Sequence, residues 1–156
     1  MNIRMACPDD ASRLVELLIG GAIRPSEDPT DLAPYAAALE EIIADPAATV
    51  LVAEEESEVV GMCQVITFRH LQQTGGRCAE IESMHVDGRY RSHGIGTMLV
   101  AAAIDWARAK GCYRVQLTSN KARTDAHRFY LRNGFEASHE GFKLYLDDPR
   151  GAGSQS

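Results

Sequence analysis

Two carboxylates, Glu80 and Glu82, stand two residues apart in the segment Cys78–Val86, CAEIESMHV, which reads as a β-strand. Side chains alternate across a strand, so this spacing puts both on one face, shared with Met84 and Val86. Burial or mutual repulsion raises the pKa of one such carboxyl toward neutral pH, which is what a general base requires. The competing reading is a pair of solvent-facing or ion-paired strand carboxylates, since charged groups are mostly exposed.

The strand leads into a second segment with chemical potential, Arg91-Ser92-His93-Gly94-Ile95-Gly96-Thr97, which ends where a helix begins near Ile95. The first amides of a helix have no intrahelical acceptor, and the helix dipole adds partial positive charge, so an anion that approaches closely is stabilised there. Gly94 and Gly96 carry no side chain to block that approach. A phosphate-binding P-loop is excluded because the required lysine and spacing are missing. A dinucleotide fingerprint is excluded because Leu99 stands where its third glycine would fall. An ordinary glycine-containing strand-to-helix turn remains the competing reading.

The other reactive residue types do not assemble into a site. His70, His85, His93, His127 and His139 show no metal-ligand spacing with cysteines or carboxylates, so no metal is expected. His127, in Asp125-Ala126-His127, could serve substrate or base, and a surface or capping role is the competing reading. Cys7, Cys63, Cys78 and Cys112 form no C-x-x-C pair and no Cys–His constellation, and they read as reduced thiols of a cytoplasmic protein. Lys121, Arg123 and Arg128 form a basic cluster that could meet an anionic group or simply face water.

The elements that must position these groups can be read along the chain. Asn2–Ala6 is a short strand, and Pro8-Asp9-Asp10 starts a helix whose Leu14, Leu17 and Leu18 share a face. The segment Gly20–Pro34, rich in glycine and proline, is a candidate lid, and Tyr35–Ala44 resumes helical spacing. Thr49–Ala53 and Val59–Phe68 form a hairpin about Glu54–Glu58. Ile95, Met98, Leu99, Ala102, Ala103 and Trp106 trace the clearest amphipathic helix, which ends at Lys110-Gly111. Tyr113–Thr118 is a strand, Thr124–Arg132 a helix stopped by Asn133-Gly134, and Phe142–Leu146 a closing strand. This interleaving implies an α/β (α+β) domain with a mixed sheet covered by helices.

Composition sets the outer bounds. The 156 residues match one domain, expected over residues 1–147, with residues 148–156 as a disordered tail. Hydrophobic residues make up 45% and charged residues 24%, which is ordinary globular composition. Sixteen Lys and Arg against 22 Asp and Glu give a net charge of −6, unfavourable for nucleic acid or anionic membranes. Neither a signal peptide nor a membrane span is expected.

Two blocks in order, VDGRYRSHGIGTMLV at Val86–Val100 and AHRFYLRNGF at Ala126–Phe135, make the chain resemble the GNAT superfamily of acyl-CoA-dependent N-acetyltransferases. Arg91, Gly94 and Gly96 match that family's signature, while Gly88 and Ser92 replace a commonly found proline and glycine. Thr118–Lys143 further resembles the branch that acetylates aminoalkylphosphonates and other small primary amines.

The resemblance implies a central sheet of six to seven strands, mostly antiparallel, flanked by about four helices. It implies acetyl-CoA as cosubstrate, with Arg91, Ser92, His93, Gly94, Ile95, Gly96 and Thr97 around its pyrophosphate. It also implies that the backbone of Met84, His85 and Val86 pairs with the pantetheine arm, and that Asn120 touches that arm. Glu80 or Glu82 is then the base. Tyr130, whose stripe with Ala126, Phe129 and Asn133 also fits core packing, is the acid for the departing thiolate and lies against the cofactor. The acceptor is expected to be a small-molecule amine. A protein lysine or N-terminus is a second possibility, a non-catalytic acyl-CoA-binding module a third, and a homodimer is plausible by resemblance.

Overall fold

The computed structural model describes residues 1–22 and 30–146. Five strands form one sheet in the order β1-β2-β3-β4-β5: β1 Asn2–Met5, β2 Ala48–Glu55, β3 Glu58–Arg69, β4 Arg77–Val86 and β5 Cys112–Leu117. The first four are antiparallel neighbours, and β5 joins β4 in parallel. The helices are α1 Ala11–Gly21, α2 Ala33–Ala44, the one-turn α3 Gln72–Gly75, α4 Ile95–Ala109 and α5 Thr124–Arg132.

Strand alternation assigns the two faces. Leu51, Ala53, Val60, Cys63, Val65, Ala79 and Ile81 pack with Ile95, Leu99 and Ala103 of α4. Val50, Val52, Val59 and Met62 face the opposite way, against Leu14 and Leu17 of α1 and Leu39 of α2. Each fully buried aliphatic side chain contributes about 1.5–3 kcal/mol. The parallel β4–β5 pair needs a crossover, and α4 supplies it.

Three expectations are corrected. Among the described residues the sheet has five strands, not six to seven, and five helices stand where about four were expected because α3 closes the β3–β4 connection. The closing strand Phe142–Leu146 is not formed: Phe142, Leu144 and Leu146 are 92%, 86% and 89% exposed and pair with no strand among the described residues. Their alternation shows that the segment could sit in a sheet. Pairing, however, needs a non-local edge, and a local pattern does not specify one.

The third correction concerns the carboxylate face. Ser83 has φ +51°, and the β3–β4 register shifts between Met62 and Gln64, so a bulge interrupts β4. Glu80 and Glu82 lie opposite Ile66 and Gln64 on the α1/α2 side. Beyond the bulge the alternation inverts, so Met84 and Val86 pack on the α4-side core instead. His85, opposite Met62, takes the place on the glutamate face. Residues 23–29 of the lid candidate, and all of the tail 148–156, lie outside the described residues.

Candidate active site

The parallel pairing of β4 with β5 ends at Ile81 and Leu117, yet β4 continues to Val86. β5 itself ends at Leu117. The β5-facing backbone of residues 82–86 is left without a strand partner, which is a row of donors and acceptors aimed into a cleft. That cleft has a volume of about 920 Å³ and is bounded by α1, β4, the start of α4 and the start of α5.

The head of α4 closes one end of the cleft. Gly94, the N-cap, has φ +77°, a left-handed conformation that glycine adopts without steric cost, and a side chain there would meet nothing within 4 Å. Met98 N–H makes the first helical bond to the Gly94 carbonyl, so the amides of Ile95, Gly96 and Thr97 have no intrahelical acceptor. Gly96 also makes room for a neighbouring helix. A Cβ there would lie 3.0 Å from Cζ of Phe129, so this glycine admits the α5 aromatic ring. Ser92, at φ +66°, holds a left-handed position that costs a side-chain-bearing residue about 1–2 kcal/mol.

Ion pairs brace the turn from behind. Arg13 Nη2 donates to Asp87 Oδ2 at 2.5 Å, and Arg89 Nη2 reaches Asp87 at 2.8 Å and Glu58 at 2.5 Å. Hydrogen bonds from the Arg89 side chain and backbone, and from Arg13, hold the Asp87 carboxyl well below the usual range. Arg91 lines the cleft and has no carboxylate partner among the described residues. His93 Nδ1 lies 2.9 Å from the Arg91 carbonyl, so this imidazole shapes the turn.

The two glutamates differ. Glu80 Oε2 accepts a hydrogen bond from Gln116 Nε2 at 3.0 Å and does not line the cleft. Glu82 does line it. Burial raises its pKa, repulsion from and hydrogen bonding with Glu80 raise it further, and Lys143 opposes the shift. Tyr130 faces the same cleft between Phe129 and Phe135, with ring centroids at 5.1 and 5.8 Å. Burial pushes its hydroxyl pKa up, and Arg123 partly offsets this.

The Asn120 side chain accepts from Ala122 N–H at 2.9 Å, which fixes the turn between β5 and α5. His127 Nε2 sits 2.9 Å from the Asn120 carbonyl in the loop between β5 and α5. The basic cluster is largely spoken for: Lys121 pairs with Glu140 at 3.2 Å, Arg128 with Asp125, and Arg123 with the Gly21 carbonyl. Gly21 and the His85 side chain are cleft residues that sequence reasoning did not single out, and only the Gly-Gly end of α1 hinted at a close approach. Among the described residues, no group of three His, Cys, Asp or Glu side chains is placed to hold a metal, and no helix is long and apolar enough to cross a membrane.

Comparison with known proteins agrees with this arrangement. The model of the acetyltransferase (GNAT) family matches residues 14–135. The chain belongs to that family. It is 37% identical over 102 residues to an aminoalkylphosphonate N-acetyltransferase of Salmonella typhimurium, covering 65% of this chain and 66% of the relative. It is 31% identical over 88 residues to a glucosamine 6-phosphate N-acetyltransferase of Trypanosoma brucei brucei, covering 56% and 58%. The chain thus spans less than two thirds of the length of these curated relatives. Among solved structures, one called a transcriptional regulator from Bacillus halodurans C-125 superposes with a TM-score of 0.88 at 37% identity, over 93% of this chain and 99% of that one.

Proposed function

We propose that this chain is an acyl-CoA-dependent N-acetyltransferase that moves an acetyl group from acetyl-CoA to a primary amine of a small molecule, by direct attack in a ternary complex. The observation that carries the reading is the run of β4 past the end of β5 at Leu117, which leaves its backbone open on that side in one cleft with the head of α4, Glu82 and Tyr130. Acetylated small amines are what the names of the Salmonella and Trypanosoma relatives describe.

In this mechanism the amides of Ile95, Gly96 and Thr97, with Arg91, Ser92, His93 and Gly94 around them, hold the pyrophosphate. The open backbone of Met84, His85 and Val86, with Asn120 opposite, aligns the pantetheine arm and brings a donor to the developing oxyanion. An alkylamine of pKa about 10.4 is mostly protonated at neutral pH, so a base is needed. Glu82 takes that proton, helped by its raised pKa, while Glu80 sustains the shift. Tyr130 gives its proton to the departing thiolate.

A cytoplasmic, single-domain enzyme spanning residues 1–147 belongs to the same proposal. So does a homodimer: β5 forms an open sheet edge, and the segment after Gly141, which packs on Thr118, exposes Phe142, Leu144 and Leu146. Light scattering on the eluting protein reads its mass directly.

The name of the Bacillus halodurans relative favours a second reading, an acyl-CoA-binding regulatory module. Incubating the protein with acetyl-CoA and a panel of primary amines, while following free thiol, separates the two. Amine-dependent thiol release supports transfer, whereas tight coenzyme binding with no release for any amine supports the module.

A further inference from the structure

Resting on the acetyltransferase reading, we propose that the imidazole of His85 contacts the acceptor amine and takes the second proton that leaves its nitrogen. A primary ammonium carries three N–H bonds and the amide product keeps one, so two protons must depart. Glu82 can hold one of them, and Glu80 is engaged by Gln116.

The fold brings His85 to the place where a second acceptor would stand. On an unbroken strand, residue 85 would face away from residue 82. The Ser83 bulge reverses that, so His85 and Glu82 are nearest neighbours on one face, opposite Met62 and Gln64. Met62 and Gln64 are two residues apart, one pleat repeat of about 7 Å. An amine nitrogen making hydrogen bonds of about 2.7–3.2 Å to each side spans that gap.

The ring is also deliberately accommodated. A Cβ on Gly21 would lie 2.0 Å from Nδ1 and 2.6 Å from Cε1 of His85, so the imidazole occupies the space that a side chain at the end of α1 would fill. The end of α1 therefore packs directly on this ring. Arg123, the residue before α5, donates to the carbonyl of the same glycine. Among the described residues, the charged groups that line the cleft with His85 include Glu82 of β4 and Arg123, which precedes α5. The Nδ1 edge of the ring abuts Gly21, so Nε2 is the nitrogen on the outer edge.

The steps balance. Glu82 takes the first proton from the ammonium, and the freed lone pair forms the C–N bond to the thioester carbon. His85 takes the second proton from nitrogen. The C–S bond then breaks with its electron pair on sulfur, and Tyr130 protonates the thiolate. One proton returns to solvent for each turnover.

The test uses His85→Ala, His85→Gln, Gly21→Ala and the double variant Gly21→Ala/His85→Ala, with the best amine from the panel. His85→Ala should lower kcat/KM for the amine about a hundredfold, the low end for a proton-transfer group. His85→Gln should restore the KM for amine but not kcat. Calorimetric affinity for coenzyme A should be unchanged in both. Gly21→Ala, which pushes the ring aside, should reproduce the amine defect, and the double variant should be no worse than His85→Ala alone. An active wild type with an equally active His85→Ala overturns the assignment and leaves the acetyltransferase reading standing. Parallel loss of coenzyme affinity, or additive Gly21 and His85 effects, also overturns it. A wild type inactive with every amine removes both readings.

Discussion

The Phe129 ring reaches to within 3.0 Å of the point where a Cβ on Gly96 would sit, so the first turn of α4 and the inner face of α5 are in direct register. The next residue on α5 is Tyr130. The proposed pyrophosphate-binding turn and the proposed acid are thereby locked to each other, and a change at one is felt at the other.

The two glycines of the turn should therefore fail differently. Gly96→Ala forces Phe129 to give by a few tenths of an ångström and tilts Tyr130, lowering kcat more than it raises the KM for acetyl-CoA. Gly94→Ala has space but sits at φ +77°, so it should lose about 1 kcal/mol of stability and weaken coenzyme binding. Steady-state kinetics and thermal melts on both variants read the difference.

Glu82→Gln should abolish most turnover and leave coenzyme affinity intact. Glu80→Gln removes a repulsion that raises the Glu82 pKa, so Glu82 stays ionised to lower pH. The acid limb of kcat/KM then shifts toward lower pH, although burial keeps Glu82 above an ordinary carboxylate. A limb that stays put or moves upward contradicts the coupling.

Tyr130→Phe keeps the ring contacts with Phe129 and Phe135 and removes only the hydroxyl. A drop in kcat of about a hundredfold with unchanged calorimetric affinity for coenzyme A is expected. Unchanged turnover would take Tyr130 out of the chemistry.

Arg4 grips the buried Asp10 carboxylate at 2.7 and 3.0 Å, tying β1 to the head of α1, and also reaches Glu54. This hydrogen bonding holds the Asp10 carboxyl below its ordinary value. Its contribution is therefore complete above the unfolded pKa of about 3.9 and is lost as pH falls through the folded value. Asp10→Asn should cost about 1.5–3 kcal/mol at neutral pH, with a smaller deficit in acid, as urea melts across that range would show.

Local pattern made most of the fold legible. The Ile95–Trp106 stripe marked α4, the β-branched run Val59–Phe68 marked β3, and Asn133-Gly134 marked the end of α5. Long-range relationships were not legible. Nothing about Ser83 announces a left-handed backbone, yet that single φ moves His85 onto the glutamate face and sends Met84 and Val86 into the core. The Phe142–Leu146 alternation promised a strand, but the edge it would need is set elsewhere in the chain. Gly96 signalled a close approach, and whether the neighbour was an anion or Phe129 depended on where α5 came to rest.

The most direct test of the account is a calorimetric titration of the wild-type protein with coenzyme A, alongside Gly94→Ala. Saturable heat at a single site, weakened in the variant, is the predicted result. No heat at millimolar coenzyme A would mean that the amides heading α4 do not hold a pyrophosphate, and the proposed chemistry would go with them.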